Sequence, residues 1–206
     1  MKGLLVLSTI FFLAINTLYF WEGNLGSWLI PLTLFLLILY IVLIIALFNQ
    51  IRLSVMEKFV VKSRLLVIVF LTFVLVSTAI RPFGIIDFKK FERDNLLVAQ
   101  REGVANCTVT LKLKDNMTFV QRNICFGITD TKGKYHLKND TIYFDNMEPG
   151  RHETIFYEFA IVTRPRPVKP EKYTHLTLYK NATDTSGLEL VITKNELHKI
   201  KLKIQN

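Results

Sequence analysis

Three long apolar runs dominate the first 86 residues. Gly3 to Phe20 carries no charge over eighteen residues, which as a helix spans roughly 27 Å, close to the hydrocarbon thickness of a bilayer. Trp28 to Phe48 is a twenty-one-residue run with Pro31 in its first turn, where a missing N–H leaves no bond unmade. Leu65 to Ile80 is shorter, at sixteen residues, and is flanked by Lys62, Arg64 and Arg81, whose long stems can snorkel to the interface. The pattern predicts transmembrane helices over about 3–20, 28–48 and 65–80. A cleavable signal peptide is the rival reading of the first run, but Leu18, Tyr19, Phe20 and Trp21 at its end are bulkier than a cleavage site takes. A retained helix is expected.

Beyond residue 86 the periodicity changes. Asp87 to Gln100 mixes Phe88, Phe91, Leu96, Leu97 and Val98 with Lys89, Lys90, Glu92, Arg93, Asp94 and Asn95, which predicts an amphipathic juxtamembrane connector over 87–100. From Asn106 the period is two. Cys107, Val109, Leu111 and Leu113 alternate with Thr108, Thr110, Lys112 and Lys114, as in a half-buried strand. Lys114, Asp115 and Asn116 read as a three-residue hairpin loop with Asn116 in the left-handed region. That register puts Leu113 opposite Met117 and Leu111 opposite Phe119, with the return strand running to about Phe126. Gly127 to Gly133 reads as a polar connection. Around Asn139-Asp140, Leu137 faces Ile142 and Tyr135 faces Phe144. Four further strands are expected over Thr154–Thr163, Tyr173–Lys180, Leu188–Thr193 and His198–Ile204. In the first of them Ile155, Tyr157, Phe159 and Ile161 share a face, and in the last Lys199, Lys201 and Lys203 line the polar face.

Eight short strands joined by brief turns predict a soluble β domain over 101–206, either an eight-stranded antiparallel barrel or a two-sheet sandwich. The barrel is preferred because an even number of consecutive hairpins closes without open edges. The fold class is thus a three-span membrane α-helical anchor followed by an all-β domain. Half the residues are apolar and only two are cysteine, which excludes disordered, coiled-coil and disulfide-dense secreted chains.

Charge orients the anchor. The link between the first two runs carries no Lys or Arg, whereas Asn49 to Arg64 carries Arg52, Lys58, Lys62 and Arg64 against Glu57 alone. Positive-inside logic puts that second link in the cytoplasm and the β domain outside, by a narrow margin. The expected location is a cell (inner) membrane, multi-pass. No Asp, Glu, Lys, Arg or His falls inside any span, so the helices read as an anchor and a homo-oligomer surface rather than a transport path.

Candidate chemistry is sparse. Cys107 and Cys125 flank the first hairpin; in the register above they are diagonal neighbours, a little under about 7–8 Å apart between Cβ atoms. A disulfide and a pair of buried thiols both stay open. His136, His152, His175 and His198 show no metal-ligand spacing, and no phosphate loop, nucleophile elbow or paired-carboxylate motif occurs. No enzyme, metal or cofactor is expected. Arg164-Pro-Arg-Pro-Val-Lys-Pro170 stands apart as an extended basic segment. Arg164, Arg166 and Lys169, continued by Lys172, make a candidate cationic lip for a small anionic ligand or nucleotide, with a rigid loop as the plain alternative. The aromatic residues alternate inward, leaving no stacking platform, and no duplex nucleic acid is expected.

The order of elements, a short multi-span anchor followed directly by a compact eight-strand β domain, resembles the membrane-anchored β-barrel effectors of bacterial CBASS anti-phage systems. The resemblance covers the whole chain as a layout and carries over no binding residue. It implies a bacterial-type, non-enzymatic membrane protein whose barrel senses a cytosolic cyclic oligonucleotide and whose helices then assemble in the membrane. The charge bias points instead to an envelope protein-interaction or immunity module with an extracytoplasmic β domain. The side of the membrane separates the two.

Overall fold

The computed structural model describes residues 1–150, 155–163 and 174–198. The chain forms two compact units. The first holds residues 1–22 and 28–91 and the second residues 23–27 and 92–206.

The helical unit contains α1 (Lys2–Asn16), α3 (Leu29–Met56), α4 (Lys62–Ile80) and the start of α2 (Leu18–Leu25). Two helices, α3 and α4, are long and apolar enough to cross a membrane, and α1 with α2 makes a third if the bent pair counts as one span. The unbroken first span expected from hydropathy is corrected here: the chain bends by 71° between α1 and α2. The cause is local and polar. Asn16 Nδ2 donates to Phe12 O (2.8 Å) and Thr17 Oγ1 to Leu13 O (2.7 Å), so side chains compete for the last carbonyls of the helix. Asn16 Oδ1 also accepts the N–H of Ile85 (2.8 Å). α3 overruns its expected end at Phe48 by two turns, to Met56. The link to α4 is a tight reversal in which Lys58 and Phe59 have positive φ. Arg64 does not simply snorkel: it binds Glu57 (2.8 Å) and Gln50 Oε1 (3.2 Å), clasping the reversal. Phe11, Leu36, Leu43, Leu71 and Val74 form the core of this unit.

The second unit is a closed eight-stranded antiparallel barrel with each strand beside its sequence neighbour. Its strands are β1 (Asn95–Glu102), β2 (Thr108–Lys114), β3 (Thr118–Ile124), β4 (Ile128–Lys138), β5 (Thr141–Glu148), β6 (Phe159–Thr163), β7 (His175–Tyr179) and β8 (Leu188–Asn195). The sandwich alternative is therefore set aside. Two segments change role. Asn95–Gln100, expected in the connector, belongs to β1, and only Phe88–Phe91 of that connector is helical, as a short 3-10 turn. Residues 128–133, expected as a connection, are the first half of β4. Of the strand expected over Thr154–Thr163, only Phe159–Thr163 pairs among the described residues. His198 is described outside any strand, and 199–204 lie outside the described residues.

The β2–β3 register is also corrected. Leu113 pairs with Phe119 and Leu111 with Gln121. The loop is Asp115–Met117, one residue later than expected, and Met117 takes the positive φ. Asn116 uses its side chain instead, accepting the Thr118 hydroxyl at 2.7 Å in an Asx-type turn. Asn181 does the same for Thr183 (2.8 Å) and Asp184 for Ser186 (3.0 Å). At the β4–β5 turn Asn139 and Asp140 both have positive φ, the geometry of a tight two-residue hairpin. Leu137 then faces Ile142 and Tyr135 faces Phe144, as expected.

Leu97, Ala99, Leu111, Leu113, Phe119, Tyr135, Ile142, Phe144, Ala160, Leu176, Leu178 and Leu190 fill the barrel. In β6 Ala160 is buried, and Phe159 and Ile161 on either side of it share a face, as expected, which is the outer wall. There His136, Tyr143, Phe159 and Tyr179 form a directly opposed ladder across β4 to β7, with ring centroids 5.2, 6.1 and 5.1 Å apart. The first and last pairs stack and the middle pair is tilted, and such cross-strand pairs hold the register of four strands. The expectation that aromatics alternate inward is corrected at these positions.

Candidate functional site

Closing the barrel brings together residues far apart in the chain. At the end where β4 turns into β5, Leu137, Asp140 and Ile142 meet Val162 of β6 and Asn195, Leu197 and His198 at the exit of β8. Together they line a half-open cavity of about 500 Å³, within the range of small-ligand sites. Four of the seven are aliphatic. The polar groups are one carboxyl, one carboxamide and one imidazole, and Asn195 Oδ1 already accepts the N–H of Leu197 (3.2 Å). The wall is about half apolar, with polar side chains on the turn and the chain exit.

Elsewhere the barrel interior is packed. A void of about 10 Å³ lies beside Gln121, Thr131, Phe119 and Phe144, about the room one water needs. Gln121 Nε2 donates to Asn123 Oδ1 (3.3 Å), and Thr131 Oγ1 is buried without a partner among the described residues. Tyr135 marks the boundary between the packed middle and the turn end, its hydroxyl donating to Lys114 O at 2.8 Å. Burial, aided by the nearby Asp115 carboxylate, pushes this phenol up to about 12. At the opposite end, N–H groups of Lys180 and Ser186, with help from the Ser186 hydroxyl and the Gly187 N–H, hold the Asp184 carboxyl down at about 2.

The sequence-derived candidates divide sharply. Arg164, Arg166, Lys169 and Lys172 lie outside the described residues. Of the described residues on either side, Thr163 pairs with His175, next to Val162. His152 lies outside the described residues, and His136 binds Asp145 through Nδ1 at 2.6 Å on the outer wall. Among the described residues, His198 is the histidine that lines the cavity. Among the described residues no three His, Cys, Asp or Glu side chains gather as metal ligands would.

Cys107 and Cys125 are joined in a disulfide with Cα atoms 4.5 Å apart. The corrected register explains it. Continuing the Thr108 to Ile124 pairing by one step sets the two cysteines directly opposite each other. A non-hydrogen-bonded antiparallel pair has about this Cα separation. The diagonal placement expected from the earlier register is therefore wrong. Outside the cavity, Arg122 grips Asp130 across β3 and β4 with two hydrogen bonds of 2.7 and 2.8 Å, a pairing no spacing rule points to.

No family model, curated protein or solved structure matches the chain.

Proposed function

We propose that this chain is a non-enzymatic membrane protein whose helical anchor holds a ligand-binding β-barrel on the extracytoplasmic side of a cell membrane. The observation that carries the reading is the Cys107–Cys125 bond. It uses both cysteines of the chain, and such bonds persist in oxidising compartments rather than in the cytosol. The basic residues around the α3–α4 link support the same orientation, since the link between α2 and α3 has none.

Binding is supported by the end cavity. A packed barrel with a half-open, half-apolar cavity at one end suits a small molecule with an aliphatic body and a polar end. The basic residues Arg164, Arg166, Lys169 and Lys172 of the sequence would add recognition of an anionic head. The cytosolic nucleotide-sensing effector shares this architecture and differs in the side of the membrane. Self-association of the helices belongs to either version.

The test is the state of the thiols in living cells. Free thiols are blocked with a permeant maleimide, the extract is reduced, and a maleimide polymer is added. Two polymer additions per chain are expected. If both thiols are blocked before reduction, the extracytoplasmic reading fails and the cytosolic effector takes its place.

A further inference from the structure

Two loops meet at the disulfide end of the barrel, Gly103–Cys107 between β1 and β2 and Cys125–Gly127 between β3 and β4. Each is held by its own backbone. Gly103 N–H donates to Cys107 O (2.6 Å), Cys107 N–H to Val104 O (3.2 Å) and Cys125 N–H to Gly127 O (3.0 Å). On this stapled base three apolar side chains point away from the core: Val104 is 90 % exposed, Phe126 73 % and Ile124 40 %. Phe126 has φ of 55°, a backbone region that bulky residues seldom occupy. Neither Gly103–Cys107 nor Ile124–Ile128 contains a charged residue. A rigid, uncharged, exposed apolar tip marks an interaction surface.

What it meets follows from the chain itself. Gly23–Ser27 belongs to this β unit, and Gly26 donates its N–H to Ile128 O at 3.1 Å, two residues from Phe126. Three residues after Gly26 the chain enters α3, whose apolar length suffices to cross a bilayer. At 3.8 Å per residue, Leu29 is no more than about 11 Å from Gly26. Trp28, at that entry, is a residue type that settles among lipid headgroups.

We propose that Val104, Ile124 and Phe126 form a lipid-contacting tip that inserts into the headgroup and upper acyl region of the bilayer. The tip would press the barrel onto the bilayer at a second point besides its covalent tether. The inference holds for either side of the membrane, so it stands or falls separately from the proposed location of the barrel.

The full-length chain tests it in phosphatidylcholine vesicles with and without bromine on the acyl chains. Trp21→Phe and Trp28→Phe remove both native tryptophans, and Phe126→Trp, Val104→Trp or Lys138→Trp then supplies a single reporter. Retention of the disulfide reports folding, and the Val104 site serves if the Phe126 variant fails to fold. At the tip, blue-shifted emission is expected, with most of it lost in brominated vesicles. The Lys138 site, on an exposed outer position near the opposite turn, should show neither effect. Water-like emission at the tip overturns the proposal. So does a blue shift without bromine quenching, which would mean protein packing, and so does equal quenching at Lys138.

Discussion

Leu111→Ala is expected to cost the barrel roughly 3–4 kcal/mol, whereas Lys112→Ala, one residue along the same strand, costs no more than about 0.5 kcal/mol. Leu111 is 0 % exposed and sits directly opposite Ala99 on β1 and Gln121 on β3. Neither neighbour can refill the space: Ala99 is too short, and the Gln121 amide is held by Asn123. The cost therefore belongs in the middle to upper part of the range for buried leucine truncations, where the lost transfer energy is joined by an unrelaxed cavity. Lys112 lies between Val98 and Val120 on the outer wall and loses only stem packing. At about 4–8 °C per kcal/mol for a domain of this size, the first variant should melt roughly 15 °C lower. The assay is thermal unfolding of the full chain in detergent, followed by near-ultraviolet tyrosine dichroism, since every tyrosine beyond Tyr40 lies in the barrel half. Equal melting shifts for the two variants would refute the assignment of inner and outer faces on β2.

Replacing both cysteines by serine removes a cross-link between residues eighteen apart and should cost about 3 kcal/mol, read as a lower urea midpoint; an unchanged midpoint would count against the bond. Tyr135→Phe should cost about 1 kcal/mol through the lost bond to Lys114 O. Because folding raises this phenol above its ordinary value of 10, the unfolded chain releases the proton first. Its contribution is full below pH 10 and is lost as pH rises towards about 12. The Phe variant should lack that decline. The Asp184 carboxyl is lowered, so its contribution is present above the ordinary carboxyl range and is lost as pH falls through about 2. Carbon-detected NMR titration of Asp184 would show a midpoint near the ordinary value if the turn contacts were absent.

Hydropathy carried the helical half well because a bilayer solvent demands long uncharged runs, and α3 and α4 have them. It missed the bend at Thr17, which depends on two polar side chains bonding to Phe12 and Leu13 rather than on mean hydropathy. Alternation carried the barrel through β2, β4, β5 and β8, where one face is plainly apolar. It lost β1, where the register shifts between Asn95 and Leu97 and leaves Leu96 and Leu97 both buried, so period two is broken. It did not say which face of β6 is inner, because the outer wall there is aromatic, and two apolar faces give alternation nothing to discriminate. One displaced loop residue, Met117 in place of Asn116, moved the β2–β3 register by two and brought the cysteines face to face. The cavity was not legible at all. Its lining comes from the β4–β5 turn, β6 and the end of β8, and only closure of the barrel makes them neighbours.

Closure also sets an order in time. Leu97 pairs with Asn195, so the first strand to leave the ribosome is sealed by the last, about a hundred residues and roughly 5–20 s of synthesis later. Throughout that interval the anchor segments have already emerged, and β1 waits with one edge unpaired while the meander grows from its other side. Long-range seams of this kind close slowly once they can close. The nascent chain is therefore an open, membrane-tethered sheet for much of its synthesis, and the β1 edge is where a holding chaperone or a neighbouring copy competes with β8.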